Sequence, residues 1–137
     1  MIEQVKEYLV NKYQLEINKF NDLKQQIDVL EKEILEDDSE KRYQENINSL
    51  NKKYSLFKRN SKEYKKEKQD FEDEYHESLL KFKEIHDKCK ILRSEASKID
   101  IYGLQRKLER VNNSTELKDL KLTEETALEV LSGEREI

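Results

Sequence analysis

This 137-residue sequence predicts an all-α fold: a long antiparallel helical hairpin, or coiled coil, with short C-terminal helices. Three observations carry that expectation. The chain has no Pro and two Gly, so nothing in its composition interrupts helices and little is available for tight turns. Charged residues make up 42% and hydrophobic residues 34%, too little apolar material for a thick globular core. The apolar residues that remain recur every three or four positions, the spacing of one helical face.

Ile2, Val5, Leu9, Tyr13, Ile17, Phe20, Leu23, Ile27, Leu30 and Ile34 form the first such stripe, predicting a helix over 2–36. Glu36-Asp37-Asp38-Ser39 ends it. Acidic side chains oppose the negative end of one helix and suit the positive end of the next, and Asp38 or Ser39 can cap that next helix. A turn is therefore expected at 37–39.

One heptad frame then runs from Tyr43 to Ile99. Its d positions are Tyr43, Leu50, Phe57, Tyr64, Phe71, Ser78, Ile85, Leu92 and Ile99. Its a positions are Ile47, Tyr54, Ser61, Lys68, Tyr75, Phe82, Cys89 and Ala96. A frame this long predicts a coiled-coil seam on a helix over 40–98, about 90 Å in length at 1.5 Å per residue. The many ring side chains in the seam favour antiparallel pairs or small bundles over a parallel leucine zipper. The pattern changes over 97–103, and Gly103 within it predicts a kink or short break there. Helix resumes through Leu104, Leu108 and Val111 and stops at Asn112-Asn113. Ser114 or Thr115 can cap a short helix carrying Leu117 and Leu120. Thr123 can cap another over 124–131, which Ser132-Gly133 terminates.

Helix 2–36 is too short to cover the whole second arm. Folded back at 37–39, it would reach only residues 40–75 and leave 76–112 with a bare apolar stripe. This mismatch divides the chain, in expectation, into a hairpin with an extended second arm (1–112) and a short helical docking segment (113–137). It also predicts a partner, either a second copy as a dimer or another helical protein. The expected contact residues are Leu79, Phe82, Ile85, Cys89, Leu92 and Ile99 on the arm, with Leu117, Leu120, Leu128 and Leu131 on the docking segment.

A second candidate surface is Asn51–Gln69. Lys52, Lys53, Lys58, Arg59, Lys62, Lys65, Lys66 and Lys68 stand against Glu63 and Glu67, a local net charge of +6 in a chain of net −4. Lysines can neutralise phosphates while Tyr54, Phe57 and Tyr64 stack on bases. Nucleic-acid binding through Lys52, Lys53, Lys58, Arg59, Lys62, Lys65 and Lys66 is the alternative function. The simpler reading of the same run is a solvated charged face.

Other classes find less support. His76, His86 and Cys89 are the only imidazole and thiol groups, too few for a converging metal site. No GxxxxGK[ST] phosphate loop occurs, and no oxyanion hole or pocket is encoded beside the lone thiol. The apolar stripe is narrow and claimed by helical partners, so membrane contact is not expected. The N-terminus lacks the pattern of a signal peptide, and a single Cys fits a reducing compartment. The expectation is a non-enzymatic structural or adaptor subunit, intracellular and cytoplasmic, without cofactor or small-molecule substrate.

Overall fold

The computed structural model describes all 137 residues. It is all-α. Helices α1 (Ile2–Leu35), α2 (Ser39–Lys53), α3 (Lys62–Ser97), α4 (Ile101–Asn113) and α5 (Glu124–Leu131) follow in order, with single 3-10 turns at Leu56–Lys58 and Leu117–Leu120. The chain forms two compact units, one from Met1–Gln26 with Arg93–Ile137, the other from Ile27–Leu92. The expected division at residue 112 does not coincide with these units, because 113–137 packs into the same core as the first turns of α1.

In the unit built from the chain ends, Val5, Leu9, Tyr13 and Ile17 repeat every four residues and supply one wall of the core. Leu104 and Val111 of α4, Leu120 and Leu122 after it, and Ala127 and Val130 of α5 supply the rest. The two long segments run antiparallel. Lys6 Nζ donates to the carbonyls of Asn112 and Ser114 at 3.2 and 2.8 Å, and further along Lys107 stands over the Tyr13 ring at 6.0 Å. Lys6 thereby satisfies carbonyls at the negative end of α4.

The short C-terminal elements are fixed by capping. Asp119 Oδ2 accepts from the backbone N–H of Thr115 and Glu116 at 3.0 Å each. Glu116, rather than Ser114 or Thr115, is the N-cap of the turn bearing Leu117 and Leu120. Ser114 is buried instead, its hydroxyl donating to Arg110 O at 2.7 Å. Thr123 caps α5 as expected, its Oγ1 accepting from Thr126 N. Gly133, at φ +83°, takes the left-handed conformation just beyond the end of α5, where a side chain would be strained.

The unit formed by Ile27–Leu92 is the antiparallel hairpin, and it reverses later than the sequence suggests. The continuous helix expected over 40–98 is instead two helices, α2 and α3, separated by residues 54–61. Tyr43 stacks on Tyr75 with ring centroids 4.6 Å apart, and Tyr54 meets Tyr64 edge-on at 5.6 Å. The heptad frame is real, but its two halves face each other. Partners on α2 fall in number as those on α3 rise, and the descent continues into α1, where Ile34 shares a cleft with Leu79 and Phe82. The break after Leu35 is a bend within one arm, not the reversal.

Local chemistry explains why the seam folds at 54–61. An unbroken helix would align Lys58 with Lys62, like charges one turn apart, and the break separates them. Ser55, Asn60 and Ser61 compete with helical hydrogen bonding, and Ser61 Oγ accepts from Tyr64 N at 3.3 Å at the start of α3. Breaking the helix also puts Lys52 and Lys53 at the C-terminus of α2, where cations are favoured.

Two smaller expectations shift in the same way. At the start of α2 the N-cap position is Asp38, yet its side chain makes no capping bond. Asp37 Oδ1 accepts from Ser39 N at 2.9 Å, and Asp38 pairs with Arg42 at 2.9 Å. The break expected within 97–103 is present at 98–100, ahead of Gly103 rather than at it. Gly103 lies in the first turn of α4 and donates its N–H to the N-cap residue Asp100 at 3.0 Å.

Candidate interaction surfaces

The reversal at 54–61 is held together by polar bonds from both flanking helices. Tyr64 Oη donates to Asn51 Oδ1 at 2.7 Å, and Arg59 Nη2 donates to Asn51 O at 3.1 Å. The arginine fork thus closes an open carbonyl near the end of α2, while its Nε is buried without a protein partner. Across the helices Lys53 Nζ donates to Glu67 Oε1 at 2.8 Å. That bond holds the Glu67 carboxyl below its ordinary range and raises Lys53.

This scaffold leaves Leu56 and Phe57 outside the packed seam, 74% and 97% exposed. Lys52, Lys58, Lys62, Lys65 and Lys66 are exposed around them. The tip is therefore two bulky apolar side chains inside a basic collar. The heptad frame places Phe57 in the seam at a d position and gives Leu56 no role. Two adjacent apolar residues between Ser55 and Lys58 were the available signal, since a heptad frame can bury only one of such a pair.

The second surface of this unit is an open cleft of about 720 Å³ beside the bend between α1 and α2. Ile34, Tyr75, Leu79 and Phe82 supply its apolar residues, and Asp37, Asp38 and Glu40 are among its polar ones. The stretch from Glu31 to Glu40 has six acidic residues against Lys32, a local net charge of −5. Leu79 is 44% exposed. The neighbouring Leu80, and Ile91 further along α3, are exposed as well.

The expected contact residues have different fates. Leu79 and Phe82 lie together in the cleft, while Ile85 and Leu92 are half-buried along α3. Cys89 is 1% exposed. Leu120 is part of the core formed by the chain ends, and Ile99, Leu117 and Leu131 pack against that core. Leu128 is exposed. Much of the stripe over 76–112 thus has partners within the chain: Cys89 is enclosed, and Leu104 and Val111 pack in one core with α1.

The basic residues also divide. Lys53 is engaged by Glu67 and Arg59 by Asn51, leaving Lys52, Lys58, Lys62, Lys65 and Lys66 as the exposed cations of that set. Tyr54 and Tyr64 pack on each other as the heptad frame expects, whereas Phe57, a d position of the same frame, is the one exposed ring of the three. His86 lies beside Phe82 with ring centroids 6.3 Å apart. No group of three or more His, Cys, Asp or Glu side chains is arranged to hold a metal ion, and no helix is long and apolar enough to cross a membrane.

The chain matches no protein-family model, no curated protein and no solved structure.

Proposed function

We propose that this protein is a non-enzymatic structural or adaptor subunit that joins proteins through helical contacts. The observation that supports the reading is the cleft at the α1–α2 bend, where Leu79 remains 44% exposed beside Ile34, Tyr75 and Phe82. Leaving large apolar side chains grouped in water costs free energy in proportion to their area, and grouped exposure of this kind marks contact surfaces. The helices around the cleft are stiff and hold its two walls at a fixed separation, which a flexible linker cannot do. A partner offering an apolar ridge would dock there in the manner of a helix or turn laid into a groove.

A photo-crosslinking amino acid placed at Leu79 and, as a control, at the exposed Lys81 tests the reading in cells of native abundance. A discrete protein adduct from position 79 and none from position 81 is expected. Equal labelling from the two positions, or none from either, overturns it.

A further inference from the structure

We infer that the occupant of the cleft is the reversal tip of a second copy of this chain, a reading that rests on the docking role just proposed. The two surfaces are complementary in each respect that governs a contact. The tip is convex and ends in Leu56 and Phe57, whereas the cleft is concave and has Ile34, Leu79 and Phe82 along it. At about 720 Å³, the cleft falls within the range of roughly 300–1,000 Å³ that encloses a drug-sized ligand. It can therefore take two side chains and the apolar stems of flanking lysines.

Charge follows the same division. The tip segment 51–69 carries +6. Along the cleft Asp37, Asp38 and Glu40 outnumber Lys41, and the segment 31–40 carries −5, in a chain whose net charge is −4. Part of each charge opposes a helix dipole. Lys62, Lys65 and Lys66 crowd the positive end of α3, and Glu33 and Glu36 sit at the negative end of α1, opposite to what the helix dipoles favour. Bringing the two together relieves both, and the apolar centre inside a charged rim matches the anatomy of a protein interface.

A nucleic acid would use the collar but only one ring, and Leu56 would add nothing to stacking on bases. An anionic bilayer would use the collar and both apolar side chains, yet it would leave the acidic-rimmed cleft unoccupied. A second copy accounts for both surfaces at once.

The contact is heterologous: each copy offers one plug and one socket. Purified full-length chain should therefore grow in mass with concentration at about 10 mM salt. It should dissociate near 500 mM, where the screening length falls from roughly 30 Å to a few Å.

Sedimentation velocity on three variants tests this. The plug variant carries Leu56→Ser and Phe57→Ser, the socket variant carries Leu79→Lys, and a charge-only socket variant carries Asp38→Lys and Glu40→Lys. Each alone should associate about tenfold to a hundredfold more weakly, the equivalent of losing one or two buried apolar side chains or their charged rim. An equimolar mixture of plug and socket variants retains one intact plug and one intact socket, so it should form dimers and nothing larger. Circular dichroism confirms that each variant keeps its helices.

A wild-type chain that stays monomeric at low salt overturns the inference, as does a plug variant of unchanged mass. Binding of that monomer to phosphatidylserine vesicles or to single-stranded oligonucleotide through Phe57 would assign the tip another occupant. An adduct from position 79 to a different protein would leave the docking role standing and remove the second copy from it.

Discussion

Tyr64 donates its hydroxyl to Asn51 Oδ1 at 2.7 Å across the reversal, while Arg59 closes the Asn51 carbonyl at 3.1 Å. One asparagine therefore ties the last turn of α2 to both the connecting loop and the first turn of α3. Tyr64→Phe keeps the ring against Tyr54 and removes only the bond. In urea unfolding it should lower stability by about 1 kcal/mol, the net worth of a typical hydrogen bond. In an Asn51→Ala background the same change should cost clearly less, because the two groups act as a pair. Equal costs in both backgrounds would show that the hydroxyl is bonded elsewhere.

Asp119 sets a pH dependence. The backbone N–H of Thr115, and then that of Glu116, donate to its carboxylate and hold its pKa below the ordinary 3.8. A depressed carboxylate contributes stability that is present above its unfolded pKa and lost as pH falls through the lower folded value. Asp119→Asn should accordingly lower the Tm at neutral pH. The wild type and the variant should converge as the wild type is titrated below pH 3.8. Thermal melts at a series of pH values would show it, and a constant gap down to the acid limit would contradict it.

Gly103 and Asp100 form a coupled pair. A Cβ at position 103 would collide with the Asp100 carboxylate that caps α4. Gly103→Ala gains about 1 kcal/mol of helix propensity and forfeits a cap of about the same worth. The single variant should be close to neutral. With Asp100→Ala already in place there is no cap to lose, so Gly103→Ala should then stabilise by about 1 kcal/mol. Additive effects in this double-mutant cycle would mean that the carboxylate swings aside without cost.

How legible each feature was in the sequence depended on how local its cause is. The α1 stripe, the Thr123 cap and the Gly133 stop were readable because each rests on residues within a few positions of one another. The reversal was not. A heptad frame records which face is buried but not which segment buries it, and here Tyr43 and Tyr54 meet Tyr75 and Tyr64 from the same frame. Ser61 and the lysine run marked the break, yet they read equally well as weak seam positions. Once the fold point moves to 54–61, Leu79 and Phe82 lie opposite Ile34 and residues 93–112 join the N-terminal turns of α1. The expected bare arm largely disappears. What remains of the candidate site is the cleft and the tip, and both depend on that tertiary pairing.

Phe57 and Leu9 separate the two readings of the heptad frame most sharply. If Phe57 were a seam residue, as its d position suggests, Phe57→Ala would cost about 3–5 kcal/mol. The structure leaves it 97% exposed, so under dissociating salt the substitution should change stability by no more than about 0.5 kcal/mol. Leu9 is 2% exposed in the core formed by the chain ends. Leu9→Ala should cost about 2–5 kcal/mol there, because transfer and cavity terms add. Urea titrations of the two variants at high salt compare them directly. A large loss from Phe57→Ala would place the ring inside a packed seam and return α2 and α3 to a single helix.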